Sequence, residues 1–228
     1  MKKTSEKFIV QTAVEEHISY ADELCKLYEE SAKKRGTGIA KRDPEYIKEK
    51  ILENKAIIAL NENKELAGFC YIETWQGKNY VANSGLIVKE EFRKHGLAKR
   101  IKEFVLDYTR KKFPQAKIFG ITTSLAVMKM NSDLGYKPVT FSELTQDDAF
   151  WSGCKSCINY DVLTRTSRKN CLCTAMLFDP KEEKKKEFVK AQKIEKKIPS
   201  KLKTPKAQRI KVVKTGGLSK ANKKTKDV

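Results

Sequence analysis

Three apolar, β-prone runs, Ala56 to Leu60, Leu66 to Thr74 and Tyr80 to Val88, follow one another across short polar turns. This clustering constrains the fold more than any other feature of the chain. The first two runs, joined by Asn61-Glu62-Asn63-Lys64, predict an antiparallel hairpin. Behind the third, Leu97, Ile101, Phe104, Val105 and Tyr108 repeat at helical spacing until Pro114 ends the pattern. Lys117 to Thr122 reads as a further strand, and Ser124 to Leu134 as a helix closed by Gly135. Ahead of the hairpin, Ser19 and Asp22 resemble a capping box for a helix with Leu24, Leu27, Tyr28 and Ser31 on one face. A Gly-containing connection, 34–42, breaks it, and Asp43-Pro44 starts a second helix. Lys137 to Phe141 and Ile158 to Leu163 are the last β-like stretches. The order ααβββαβαββ places three strands before the first strand–helix–strand unit. It predicts an α/β (α+β) fold, a mixed central sheet flanked by helices.

At 39 % apolar content the chain has enough material for a buried core. Its longest uninterrupted apolar run is five residues, Ala56 to Leu60, where a membrane span needs roughly twenty. Met1 to Lys7 has no apolar stretch behind its lysines, so it does not read as a secretory signal. These features exclude a membrane protein and an exported disulfide scaffold, and the expectation is a cytoplasmic protein. The formal net charge of +19 is unevenly spread: residues 181–228 hold 18 Lys+Arg against 5 Asp+Glu. In this segment, with Phe188 its one aromatic, the spacing over 181–197 permits a short helix, and disorder is expected beyond Pro199. It fits either a solubilising extension or weak nucleic-acid contact through phosphates.

The most informative local feature is the handover from the third run to the next helix, Val88 to Ala98. Gly96 and Ala98 let backbone amides approach an oxyanion, the helix start adds the positive end of a dipole, and Arg93, Lys94 and Lys99 supply countercharge. On chemistry alone this fits a pyrophosphate cradle or an ordinary basic turn. Arg93-x-x-Gly96-x-Ala98 after an apolar strand resembles the Arg/Gln-x-x-Gly-x-Gly/Ala signature of the GNAT N-acetyltransferases, and Leu134-Gly135-Tyr136 stands where that family has Leu-Gly-Phe. The likeness runs over residues 6–142. Val81 to Val88, Phe119 to Met128 and Asn159 to Leu163 look, more narrowly, like the bacterial N-acetylglutamate synthase type linked to arginine biosynthesis.

The resemblance implies acetyl-CoA as co-substrate. Its pantetheine would lie between two splayed parallel strands, Ser84 to Val88 (with Leu86 and Ile87) and Lys117 to Thr122. The pyrophosphate would rest on Arg93, Lys94, His95, Gly96, Leu97, Ala98 and Lys99. Acetyl transfer needs a base for the incoming amine, polarisation of the thioester carbonyl and a proton for the leaving thiolate. Glu73 is the candidate base, and Asn83 and Ser84 are candidates for the carbonyl. The usual Tyr acid of the family is replaced by Asn131, which can hydrogen-bond to sulfur but cannot protonate it. Arg35, Lys41 and Arg42 are candidates for an acceptor carboxylate.

Cys154-x-x-Cys157 and Cys171-x-Cys173 form two close pairs among six cysteines. They fit one structural zinc, or reduced, packed or redox-active thiols. The expected organisation is an acetyltransferase domain over 1–145, a small Cys-rich C-terminal lobe over 146–180 and a basic tail over 181–228. The favoured function is acetylation of a small amino-acid acceptor, L-glutamate first, in a ternary complex. The alternatives are a protein or RNA N-acetyltransferase targeted by the tail, and a non-catalytic nucleic-acid-binding module.

Overall fold

The computed structural model describes residues 7–35 and 41–185. The Gly-containing stretch 36–40 and the tail beyond 185 lie outside the described residues. A seven-stranded mixed sheet runs in the order β1-β2-β3-β4-β5-β7-β6. Its strands are β1 (Phe8–Thr12), β2 (Ala56–Asn61), β3 (Leu66–Trp75), β4 (Tyr80–Val88), β5 (Lys117–Thr122), β6 (Lys137–Val139) and β7 (Thr174–Phe178). The first four are antiparallel neighbours, β4 and β5 are parallel, and β7 runs antiparallel to both β5 and β6.

Helices α1 (Ala21–Arg35) and α2 (Pro44–Leu52) cover one face of the sheet, seating Leu24, Tyr28, Ile47 and Ile51 on Ile58, Phe69 and Tyr71. Helix α3 (Leu97–Lys112) covers the other, packing Leu97, Ile101 and Val105 on Ile57, Ile72 and Val81. This is the three-layer solution for a sheet apolar on both faces. Asp43 caps α2 by accepting from the Glu45 amide at 2.8 Å, with Pro44 at the first helical position. Helix α4 (Leu125–Asp133) follows β5, capped by Ser124. The short helices α5 (Asp148–Ser152) and α6 (Tyr160–Arg165) lead into β7.

Three expectations are corrected. Phe8–Thr12 is an edge strand that the sequence reading passed over. Ser19 does not cap α1: it lies inside a 3-10 turn over Glu15–Tyr20 and its hydroxyl donates to the Glu16 carbonyl. The expected strand Ile158 to Leu163 is α6, because its one deeply buried side chain, Leu163, needs a helix face rather than an alternating one. The last strand, β7, lies in the sheet between β5 and β6.

Candidate active site

Strands β4 and β5 pair only at their starts, Tyr80 with Lys117, Val81 with Ile118 and Ala82 with Phe119. Beyond Ala82 and Phe119 they part. On its other side β4 has a register shift against β3: Phe69 faces Ile87 and Tyr71 faces Ser84, so Gly85 and Leu86 bulge opposite Cys70. Gly85 sits at φ +66°, with its carbonyl accepting from the Tyr28 hydroxyl. Parting and bulge together open a cleft of about 610 Å³ between the two strands.

At one end the cleft is polar and aromatic. Glu73 on β3 accepts from the Tyr46 hydroxyl at one carboxylate oxygen and from the Ser84 hydroxyl, at 2.8 Å, at the other. Arg42 donates from Nε to the Tyr71 hydroxyl at 3.2 Å and stacks over the Tyr28 ring at 5.0 Å. Burial, then the neighbouring Tyr71 and Glu73, pushes the Tyr46 phenol well above its ordinary range, so it stays a donor. Lys41 is exposed, its backbone amide donating to Ser156 at 3.1 Å. Arg35 is the last residue of α1, and its side chain lies outside what the structure describes.

At the other end Asn83, Lys102 and Asn131 face the parting strands. Asn83 donates from Nδ2 to the Tyr136 hydroxyl at 2.9 Å, while the side-chain oxygens of Asn83 and Asn131 are buried without a hydrogen-bond partner. Few native buried acceptors go unpaired, so these two mark a place where a polar group is wanted.

The turn from β4 into α3 lies exposed at Arg93 to Gly96. Gly96 is the N-cap at φ +73°, with nothing within 4 Å of where a Cβ would stand. The first amides of α3 have no acceptor within the helix. Arg93 turns back, its Nε donating to the Val88 carbonyl at 3.0 Å, so its side chain fastens the turn to β4. Lys94 adopts φ +68°, His95 lies 6.4 Å from the Phe8 ring, and Lys99 pairs with Glu103 at 3.8 Å. Leu97 is buried under the sheet and Ala98 half-buried. Leu86 reaches the cleft, whereas Ile87 and Val88 point into the cores on opposite faces of the sheet.

The four clustered cysteines converge. Cys154, Cys157, Cys171 and Cys173 line a small cavity of about 20 Å³ with Asn159 and Trp151, and all but Cys171 also reach the main cleft. Burial, then the adjoining thiols, pushes Cys154 up to about 11 and Cys173 up to about 12. Cys157 accepts from the Asn159 amide at 3.4 Å and Cys171 donates to the Asn159 carbonyl at 3.9 Å. Among the described residues no group of three or more His, Cys, Asp or Glu side chains is arranged to hold a metal ion, so the zinc expectation is unsupported.

Sequence reasoning missed Tyr28, Tyr46, Tyr71 and Lys102. Tyr71 was legible in principle, two residues before Glu73 and so on the same strand face. Tyr46 and Lys102 come from helices whose docking only the fold sets.

The model of the acetyltransferase (GNAT) family matches residues 21–127. No curated protein sequence matches this chain. Among solved structures, it is similar to N-acetylglutamate synthase from Neisseria gonorrhoeae complexed with coenzyme A and N-acetyl-glutamate. That match has 14 % identity and a TM-score of 0.55, over 76 % of this chain and 35 % of that one. The chain thus spans about a third of that synthase. Rv2747 from Mycobacterium tuberculosis, in complex with CoA, matches at 14 % identity and TM-score 0.56 over 75 % of this chain and 98 % of that one. The yncA protein of Salmonella typhimurium, with its cofactor acetyl-CoA, matches at 12 % identity and TM-score 0.52 over 76 % and 94 %. At these identities the likeness carries the fold. Among the described residues no helix is long and apolar enough to cross a membrane.

Proposed function

We propose, from the match of residues 21–127 to the acetyltransferase (GNAT) family model, that the chain moves acetyl from acetyl-CoA to the α-amine of a small amino acid. The observation that carries the reading is the parting of β4 from β5 beyond Ala82 and Phe119, opening a cleft of about 610 Å³. Both strand lips there have backbone donors and acceptors free for an extended, amide-bearing chain such as pantetheine. The unpaired amides at the start of α3, beside the open Gly96, suit the pyrophosphate. With the Arg93 side chain held on Val88, that role falls to backbone.

Arg42 and Glu73 give the acceptor end its polarity. Arg42 suits a carboxylate. Glu73, fixed by Tyr46 and Ser84, suits an ammonium whose proton must leave before the nitrogen can attack. Ser84 is then a positioning residue for Glu73 rather than a polariser of the carbonyl. Asn83 and Asn131 are left for the thioester end. L-glutamate is the acceptor to test first, because the gonococcal neighbour holds N-acetyl-glutamate beside coenzyme A.

The test is thermal-shift binding of acetyl-CoA, then thiol release across a panel of amino acids. We expect a rise in Tm with acetyl-CoA and fastest release with L-glutamate. Release with no amino acid, despite acetyl-CoA binding, would overturn the acceptor class.

A further inference from the structure

We propose that Lys102 is the proton donor to the departing thiolate, the role that Asn131 cannot fill. The inference rests on the cleft being the acyl-CoA site and adds a group to it. Lys102 belongs to α3, is 2 % exposed and lines the cleft together with Asn83 and Asn131. Lysine is almost never fully buried without a charged partner. Among the described residues, no carboxylate pairs with this one. Its Nζ lies 5.3 Å over the ring of Tyr136, whose hydroxyl accepts from Asn83. A lone buried ammonium and two unpartnered carboxamide oxygens therefore share one end of the cleft. That inventory fits a reacting atom which is neutral as a thioester and anionic as it leaves. The ammonium meets the charge that develops there, and the carboxamides orient the proton.

The step balances as follows. As the acceptor nitrogen bonds to the acyl carbon, the C–S bond breaks and its electron pair stays on sulfur. The proton on Lys102 Nζ moves to that sulfur, and the neutral amine is reprotonated from water. The acceptor's own proton goes to Glu73. Burial lowers the proton affinity of Lys102 from the ordinary lysine range, which brings the donor nearer to a thiol in strength.

The groups facing Lys102 are few. Cys70 of β3 is pushed up to about 11 by burial, and Tyr136 is pushed above its ordinary range by burial. Beta4 and α4 present the neutral Asn83 and Asn131, and on α3 Lys99 pairs outward with Glu103. Of the carboxylates lining the cleft, Glu73 is held by Tyr46 and Ser84 and Asp43 caps α2.

The test compares wild type with Lys102→Met, which keeps the volume and removes a buried charge, so it should fold with an equal or higher Tm. The thiol of bound CoA is titrated by thiolate absorbance against protein loaded with desulfo-CoA. This readout needs neither acceptor nor turnover. We expect the bound thiol to titrate about one unit or more lower in wild type than in Lys102→Met. Turnover in the variant should fall about 100-fold, with loss of the wild-type decline towards high pH. CoA bound with the same thiol pKa in both proteins would overturn the assignment and leave the acetyltransferase reading intact. An acetyl group found on Lys102 by mass spectrometry would make it a nucleophile and overturn it as well. If neither protein binds CoA, the cleft reading fails and this inference with it.

Discussion

Replacing Gly85 by alanine tests the geometry of the acceptor end. An added Cβ would stand 2.3 Å from Tyr71 Cε1 and 2.7 Å from the Tyr28 hydroxyl, at a backbone φ of +66°. A side chain in the left-handed region costs about 1–2 kcal/mol. Overpacking against two buried rings adds about 1–3 kcal/mol. Neither ring can turn away freely. Tyr28 donates to the Gly85 carbonyl, and Tyr71 accepts from Arg42. The sum, about 2–5 kcal/mol, corresponds to a fall in Tm of about 5–15 °C in a domain of this size. Gly96→Ala is the internal control. Its φ is +73°, but nothing lies within 4 Å of the new Cβ. It should lose only the left-handed penalty, about 2–6 °C. The two variants should also part functionally. Gly85→Ala displaces the rings that hold Arg42 and so raises KM for the acceptor. Gly96→Ala puts a methyl where the pyrophosphate would sit and so weakens acetyl-CoA binding. Differential scanning fluorimetry and initial-rate kinetics read both effects. Equal falls in Tm, or both variants raising KM for the same substrate, would refute the bulge and cradle as described.

Asn131→Ala should lower turnover while acetyl-CoA affinity holds. Because it removes a buried oxygen that has no partner, its Tm should change little; unchanged turnover would end the assignment. Glu73→Gln keeps the shape facing Tyr46 and Ser84 but cannot take a proton, so turnover should fall about 100- to 10,000-fold with acetyl-CoA binding intact. The thiols give a prediction about pH. Cys70 and Cys154 are raised to about 11 and Cys173 to about 12, all by burial first. In the unfolded chain these thiols ionise near pH 8.5. Above that pH the unfolded state binds fewer protons, so this contribution to stability is full below about pH 8.5 and is lost as pH rises through 11 to 12. Denaturant titrations should show Cys154→Ala/Cys173→Ala declining less steeply than wild type between pH 9 and 11, and parallel curves would contradict the burial.

The sheet's middle was legible because each element there announced itself locally. The hairpin had a polar turn between two β-prone runs, α2 had Asp43 and Pro44, and α3 had its apolar stripe. The edges were not. Beta1 is five residues with Ile9 59 % exposed, so its apolar pattern is half missing. Thr174–Phe178 carries four apolar residues in a row, a fair signal for a buried strand. It is masked in the sequence by the neighbouring cysteine pairs, which read as a separate Cys-rich lobe. The candidate site divides in the same way. Glu73, Ser84 and Asn131 follow from position along their own elements, whereas Tyr46, Lys102 and the pairing of Arg42 with Tyr71 depend on how helices dock. Periodicity within one segment says nothing about that angle.

Beta7 also explains how the cleft stays open. A parallel pair that parts after three residues leaves backbone groups on both strands without partners, and closing the gap would satisfy them. Beta5 resists closure because its other edge is paired past the point of parting, Ile118 with Phe178 through to Thr122 with Thr174. Beta4 resists it from its own far side, because the Gly85 bulge, held by Tyr28, bends it against β3. Each lip is thus fastened away from the gap by a different part of the chain. The cysteine-lined segment ends in β7 and packs Trp151 and Leu163 beside Phe119. Its part in the chemistry is therefore mechanical: it fixes one wall of the wedge into which an extended amide chain must lie.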